Sequence, residues 1–126
     1  MENWIPFQEG TYAVEQAYLV APDHSAVMLE RPTIEIYSGR SGRRLLKGAG
    51  LIQNLLLVEL LEISDDIDIL LDLGERFKYR MKSPHIQAGK VFAPDVRSSL
   101  QFSPSEPWQP IEETTFDELQ SKLNLI

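Results

Sequence analysis

Apolar and polar residues alternate along short stretches of this chain, and glycine, proline and aspartate punctuate them. Tyr12, Val14, Gln16, Tyr18 and Val20 share one parity, and Ala13, Glu15, Ala17 and Leu19 share the other. This period-two segment, rich in strand formers, predicts one strand that stops at the turn Ala21-Pro22-Asp23. Two further apolar runs, Val27 to Leu29 and Thr33 to Tyr37, flank Arg31-Pro32. Proline has no N–H for a central ladder, so this point is expected at a sheet edge or a bend. Ser38-Gly39-Arg40-Ser41-Gly42 then reads as a loop.

The best-specified element is a hairpin from Asp66 to Lys82. Ile67, Ile69, Leu71 and Leu73 share a parity with Phe77, Tyr79 and Met81, while Asp66, Asp68 and Asp72 fall opposite, with Arg76, Lys78, Arg80 and Lys82. A three-residue loop Asp72-Leu73-Gly74 would put glycine at the left-handed position. It would pair Ile69 with Phe77, Ile67 with Tyr79, Asp68 with Lys78 and Asp66 with Arg80, each pair contributing about 0.2–1 kcal/mol.

Leu51 to Ile63 is ambiguous. Leucine richness favours a helix, yet Gln53, Asn54, Glu59 and Glu62 make no clean polar face. It is taken as a strand buried on both sides, with a buried helix as the alternative. A direct hairpin from it to the next strand would set Glu62 against Asp68, an unfavourable like-charge pair. Downstream, Gly89 to Phe92 and Arg97 to Phe102 read as short strands around Ala93-Pro94-Asp95. Prolines at 104, 107 and 110 suggest a polyproline II segment with about three residues per turn. Thr115 with Glu118 forms a capping box ahead of Leu119, Leu123 and Ile126, which predicts a closing helix. The expected fold is therefore mainly β, a small barrel or sandwich with a short C-terminal helix; the alternative is α+β with residues 51–63 helical. Residues 1–102 would form the β-rich body. Residues 103–126 would form a proline-rich linker and a helix packed on the same domain.

Composition narrows the chemistry. With 126 residues, 43% of them hydrophobic, the chain is long enough for a core that needs no staple. The absence of cysteine excludes disulfides, thiolate metal sites and thiol nucleophiles. Met1 to Gly10 has no basic segment followed by an apolar run, and the apolar stretch 51–63 is both interrupted and shorter than the roughly 20 residues of a membrane span. A cytoplasmic protein without a membrane span is expected. A net charge of −7 argues against nucleic acid as a partner.

Among local features, Gly39-Arg40-Ser41-Gly42-Arg43-Arg44 with Lys47 is a basic glycine-spaced loop. Its glycines would admit a phosphate to backbone N–H groups, and arginines grip phosphate bidentately. The P-loop spacing is absent. Arg40 and Arg44 have the Arg-x-x-x-Arg spacing that resembles the arginine motif of PilZ domains, β-barrels that bind cyclic di-GMP. That family's second motif would need a serine at Leu71 and an acid or amide at Ile69, so the resemblance is confined to five residues. Arg76, Lys78, Arg80 and Lys82 form a cationic row that the acidic strand opposite neutralises. Asp65, Asp66, Asp68 and Asp72 lack the glycine and spacing of a calcium loop. The two histidines, His24 and His85, lie near turns and in no catalytic signature.

These features predict a non-enzymatic binding or assembly protein with no cofactor and no metal, acting through a surface for another protein. Trp4 and Phe7 near the terminus and Trp108 within the proline-rich segment are its candidate anchors, since large aromatics dominate binding energy. Self-association through a sheet edge is a second route to assembly. The alternative is a sensor for a phosphorylated small ligand or nucleotide, using Arg40, Arg43, Arg44 and Lys47.

Overall fold

A computed structural model describes residues 8–75, 77–88, 97–105 and 109–126. The chain is mainly β, with two sheets that do not close into a barrel. Strands β1 (Gly10–Ala13), β2 (Gln16–Val20), β3 (Ser25–Met28), β4 (Glu30–Ser38) and β5 (Arg44–Gln53) precede helix α1 (Asn54–Ile63). Then come β6 (Asp68–Asp72), β7 (Lys78–Met81), β8 (His85–Ala88), β9 (Arg97–Ser103), β10 (Gln109–Ile111), helix α2 (Glu113–Lys122) and β11 (Asn124–Leu125). The first sheet has the order β1-β4-β5-β9-β8, and the second β10-β7-β6-β2-β3-β11.

The expected single strand over residues 12–20 is in fact two strands in different sheets. Both belong to one bent ribbon. Gly10 pairs with Ile36 and Ala13 with Thr33 in the first sheet; Tyr18 pairs with Met28 and Val20 with Ala26 in the second. Between them, the Val14 N–H donates to the Pro32 carbonyl and the Leu29 N–H to the Ala17 carbonyl, at the same register. The inward positions are Tyr12 and Val14 before the bend but Ala17, Leu19 and Ala21 after it; on the partner strand they are Ile36 and Ile34, then Leu29 and Val27. Both strands change parity together, so each sheet turns its apolar face to the same core.

The bend at Arg31-Pro32 is as the proline demanded, although β4 is an internal strand rather than an edge. The β4–β5 ladder steps from Glu30 opposite Leu51 to Thr33 opposite Ala49, leaving an extra residue on β4, and Arg31 has φ of 49°. A bulge is where an internal proline is tolerated. The ribbon's turn, Pro22-Asp23-His24, places His24 at φ 71°. The Ser25 N–H donates to the Asp23 carboxylate at 3.0 Å, which holds that carboxyl below its ordinary value.

The hairpin between β6 and β7 exists with a different register. Ile69 opposes Met81, Leu71 opposes Tyr79 and Asp72 opposes Lys78, while the Leu73 N–H donates to the Phe77 carbonyl. The expected register would have set Leu71 against Glu75 and looped out Leu73. The observed one keeps Leu71 and Leu73 against aromatic partners, and the parity of both faces is unchanged. Gly74 does adopt the left-handed region, at φ 98°. Asp72 ties the turn by accepting from the Gly74 N–H at 2.9 Å and from Lys78 Nζ at 2.7 Å.

Residues 51–63 are neither one strand nor one helix. The strand β5 ends at Gln53, paired with Arg97, and α1 begins at Asn54. Leu57 and Leu60 of α1 join the main core, and the helix lies against β3 and β5. Because the helix and the following loop separate β5 from β6, Glu62 never meets Asp68 across a ladder.

Helix α2 covers the centre of the outer face of the second sheet. Phe116 packs there with Tyr18 and Leu70. Gln120 Nε2 donates to Tyr18 Oη and Gln16 Oε1, both at 2.9 Å. The helix starts at Glu113, not after a Thr115 cap, and has no side-chain cap at Glu112. It ends at Lys122, after which Asn124 and Leu125 pair in parallel with β3 instead of continuing the helix to Ile126. Gln109 and Pro110, expected in polyproline II, instead join Ile111 in the edge strand β10 on β7, an edge being where a proline fits. His85 begins β8 directly after the bend at Lys82-Ser83 and Pro84, near the turn expected there. The proposed strand 89–92, Arg76 and Pro107 lie outside the described residues.

Gly48 shows how closely the first sheet packs. It pairs with Phe102, whose ring lies over it; a Cβ there would fall 2.1 Å from Phe102 Cζ. Gly48→Ala is expected to destabilise the fold by about 1–3 kcal/mol through overpacking, and Phe102→Leu in the same chain should recover part of that loss. Urea denaturation of the two single variants and the double variant measures this coupling.

Candidate functional site

Helix α1 is apolar on both sides. Its inward residues Leu57 and Leu60 are 3% and 0% exposed, while Leu55, Val58, Leu61 and Ile63 remain 38–44% exposed. Leu55, Val58 and Leu61 follow one another at three-residue spacing, so they form one oblique stripe on the solvent side. A contiguous apolar patch of this kind is the feature that distinguishes an interaction surface from scattered exposed leucines.

A groove of about 340 Å³ runs beside the stripe, lined by Leu57 and Leu61 of α1, Asp65 and Ile67 of the following loop, Ser83 and Pro84, and Ile86 and Ala88 of β8. Its far wall is the crossing from the second sheet to the first, which three polar contacts hold. Asp68 Oδ1 accepts from the Ser83 N–H at 3.0 Å, Asp66 accepts from the Ser83 hydroxyl, and Ser105 Oγ donates to the Ser83 carbonyl at 2.9 Å. Ser83 itself sits at φ 44°, a left-handed conformation that the neighbouring aspartates fix. Asp68 also accepts from Arg80 at 2.9 Å.

This explains two of the four clustered aspartates as a structural clamp and a third, Asp72, as the partner of Lys78. No group of three or more metal-ligating side chains suited to an ion is found among the described residues. The expected pairing of Asp68 with Lys78 and Asp66 with Arg80 is therefore replaced by Asp68 with Arg80 and Asp72 with Lys78. Lys78 is only 11% exposed and also lies 5.6 Å from the centre of the Phe116 ring. Those cations belong to the fold and its C-terminal helix.

The segment that contains α1 is acidic. From Gly48 to Glu75 the chain has seven acidic residues and no lysine, arginine or histidine. Asp68 and Asp72 are neutralised by Arg80 and Lys78, but Glu59, Glu62 and Asp65 have no ion-pair partner among the described residues. Three carboxylates without an ion-pair partner therefore border the apolar stripe and groove, and the exposed Lys82 adjoins the groove-lining Ser83 in sequence.

The basic loop is at the opposite end of β5. Arg40 and Arg43 are exposed on the β4–β5 turn, whose Gly42 has φ of 76°; the Gly39 N–H donates to the Arg43 carbonyl at 2.8 Å. Arg44 opens β5, half-buried. Lys47, on the outer face of the sheet, lies 3.6 Å from Glu35 and over the Tyr37 ring. The loop displays its arginines outward from a hairpin tip, and Lys47 is engaged away from it. Lys47 instead lines a shallow depression of about 220 Å³ with Tyr37, His85, Gln87 and Gln101 on the first sheet. A smaller cavity of about 100 Å³ lies under α2, between Leu119, Leu123, Leu70 and His24.

Trp4, Phe7 and Trp108, the aromatic anchors expected from the sequence, lie outside the described residues. The sequence pattern reads residues 51–63 as a buried element of either kind, which hides the α1 surface. The signal was present: seven apolar residues spread round a ten-residue helix leave some that one core cannot cover. No helix among the described residues is long and apolar enough to cross a membrane. No protein-family model matches this chain, and no match was found among curated proteins or solved structures.

Asp68→Ala is expected to cost about 1–3 kcal/mol, because it removes the charge-assisted bonds to Ser83 and Arg80 together. Asp65→Ala, which removes no hydrogen bond or ion pair seen here, should stay within about 0.5 kcal/mol of wild type. Thermal melts with and without added calcium distinguish this clamp from a metal site, which calcium would stabilise in wild type.

Proposed function

We propose that this protein is a non-enzymatic binding or assembly module whose working surface is the α1 end of the sandwich. The observation that carries this reading is the exposed stripe Leu55, Val58 and Leu61 beside the Leu57–Ile67–Pro84–Ile86 groove. Helix α1 is fixed from behind by Leu57 and Leu60, so it offers its outer side without reorganising. A preorganised surface loses less conformational entropy on binding. Apolar side chains at the centre with carboxylates at the rim match the anatomy of a protein interface, where the desolvated middle supplies affinity and the rim supplies orientation. Neither His24 nor His85 lines the α1 groove, and binding is the chemistry its apolar walls serve best.

A photo-crosslinking residue placed at Leu61 tests the reading in cells. One discrete protein adduct is expected at position 61 and none at Gln101, which lies on the outer face of the first sheet. The double variant Val58→Ser with Leu55→Ser should lose that adduct while its melting temperature changes by no more than a few degrees, since both side chains are exposed. Equal adducts at 61 and 101, or an adduct that survives the double variant, would remove the α1 surface from the function.

A further inference from the structure

We infer that the α1 surface selects a cationic amphipathic segment of another protein: apolar side chains at helical spacing, flanked by lysine or arginine. This rests on the reading of α1 as a protein-binding surface and adds the chemistry of the partner. The argument is charge complementarity around a defined apolar centre. Glu59 and Glu62 form an exposed row on α1 beside the stripe, and Asp65 stands on the groove rim. None of the three has a cation within ion-pair distance among the described residues. Desolvating such carboxylates beneath an uncharged or acidic partner is unfavourable, whereas a partner with cations on its flanks pairs them as its apolar side chains enter the groove.

The two alternative occupants fit less well. A second copy docked face to face by two-fold symmetry brings Glu59, Glu62 and Asp65 against the same residues, a like-charge arrangement. A second copy docked head to tail could offer its basic β4–β5 hairpin, but that hairpin carries one exposed large apolar residue, Leu45, against four on α1. An anionic membrane surface is repelled by the same carboxylates. Helix α1, with 10 residues, is about 15 Å long, so an amphipathic helix of similar length covers both stripe and groove.

The test uses two synthetic peptides of about 14 residues with the same leucine spacing, one flanked by lysines and one by glutamates. Fluorescence anisotropy against the full chain is expected to show the lysine peptide binding at least about tenfold more tightly at about 0.05 M salt, with the preference shrinking towards 1 M. Amide shifts in NMR spectra should map binding to Leu55, Val58, Leu61 and Ile86. Glu59→Lys with Glu62→Lys, two exposed substitutions, should reverse the preference. Equal binding of the two peptides at this surface would overturn the cationic assignment and leave the binding surface standing. Shifts confined to the outer face of the first sheet, around Gln101, or no binding of either peptide when Leu61 yields a crosslinked adduct, would also overturn it. Concentration-dependent self-association that Arg43→Glu abolishes would overturn it by placing a second copy in the groove.

Discussion

The fold hangs on one bent ribbon. Residues 10–20 and 26–36 stay paired without the gain or loss of a residue while the ribbon crosses from one sheet to the other. If only one strand changed parity, an apolar row would turn outward on one sheet. Because both change at the same place, Val14 and Ile34 face the same core as Leu19 and Val27. The bulge at Arg31-Pro32 lets β4 turn this corner and still pair with β5. The other strands are added to the ribbon's two halves: β5, β9 and β8 to the first sheet, β6, β7, β10 and β11 to the second.

The two helices complete this frame differently. Helix α2 supplies a buried Phe116 to an apolar pair, Tyr18 and Leu70, that the second sheet turns outward, and its remaining side chains are mostly polar. It satisfies a surface of its own chain. Helix α1 supplies Leu57 and Leu60 to the end of the main core and has more apolar side chains than that core can take. The surplus is placed on a rigid support, next to a groove whose wall is held by the Asp66 and Asp68 clamp. Stability and exposure are thus separated within one helix: the inner leucines anchor it, and the outer ones contribute little to folding.

Charge is distributed along the same strand that joins these features. The β5 strand starts at the arginine-bearing hairpin and ends at the acidic helix, a distance of about 33 Å for 10 residues at about 3.3 Å each. The two ends of β5 are therefore flanked by opposite charges, and the acidic end adjoins the exposed apolar stripe of α1. The acids that lie on β6 are absorbed by Lys78 and Arg80, which leaves those of α1 and its loop to shape the approach of a partner.

Local sequence determined the strand-forming segments, the bend forced by Pro32, the turn at Pro22, the two-faced character of β6 and β7, and the existence of a C-terminal helix. Each follows from short-range rules: alternation, missing N–H groups and glycine's freedom at positive φ. Tertiary structure alone decided the parity change between Val14 and Ala17, because it answers to a second sheet that no local pattern announces. It likewise set the β6–β7 register, which keeps Leu71 and Leu73 against aromatic partners, and the division of residues 51–63 at Gln53. The apolar surplus of that segment is written in its leucines. Which of them remain outside depends on how much core is left at the end of the sandwich, and only the packed chain fixes that limit.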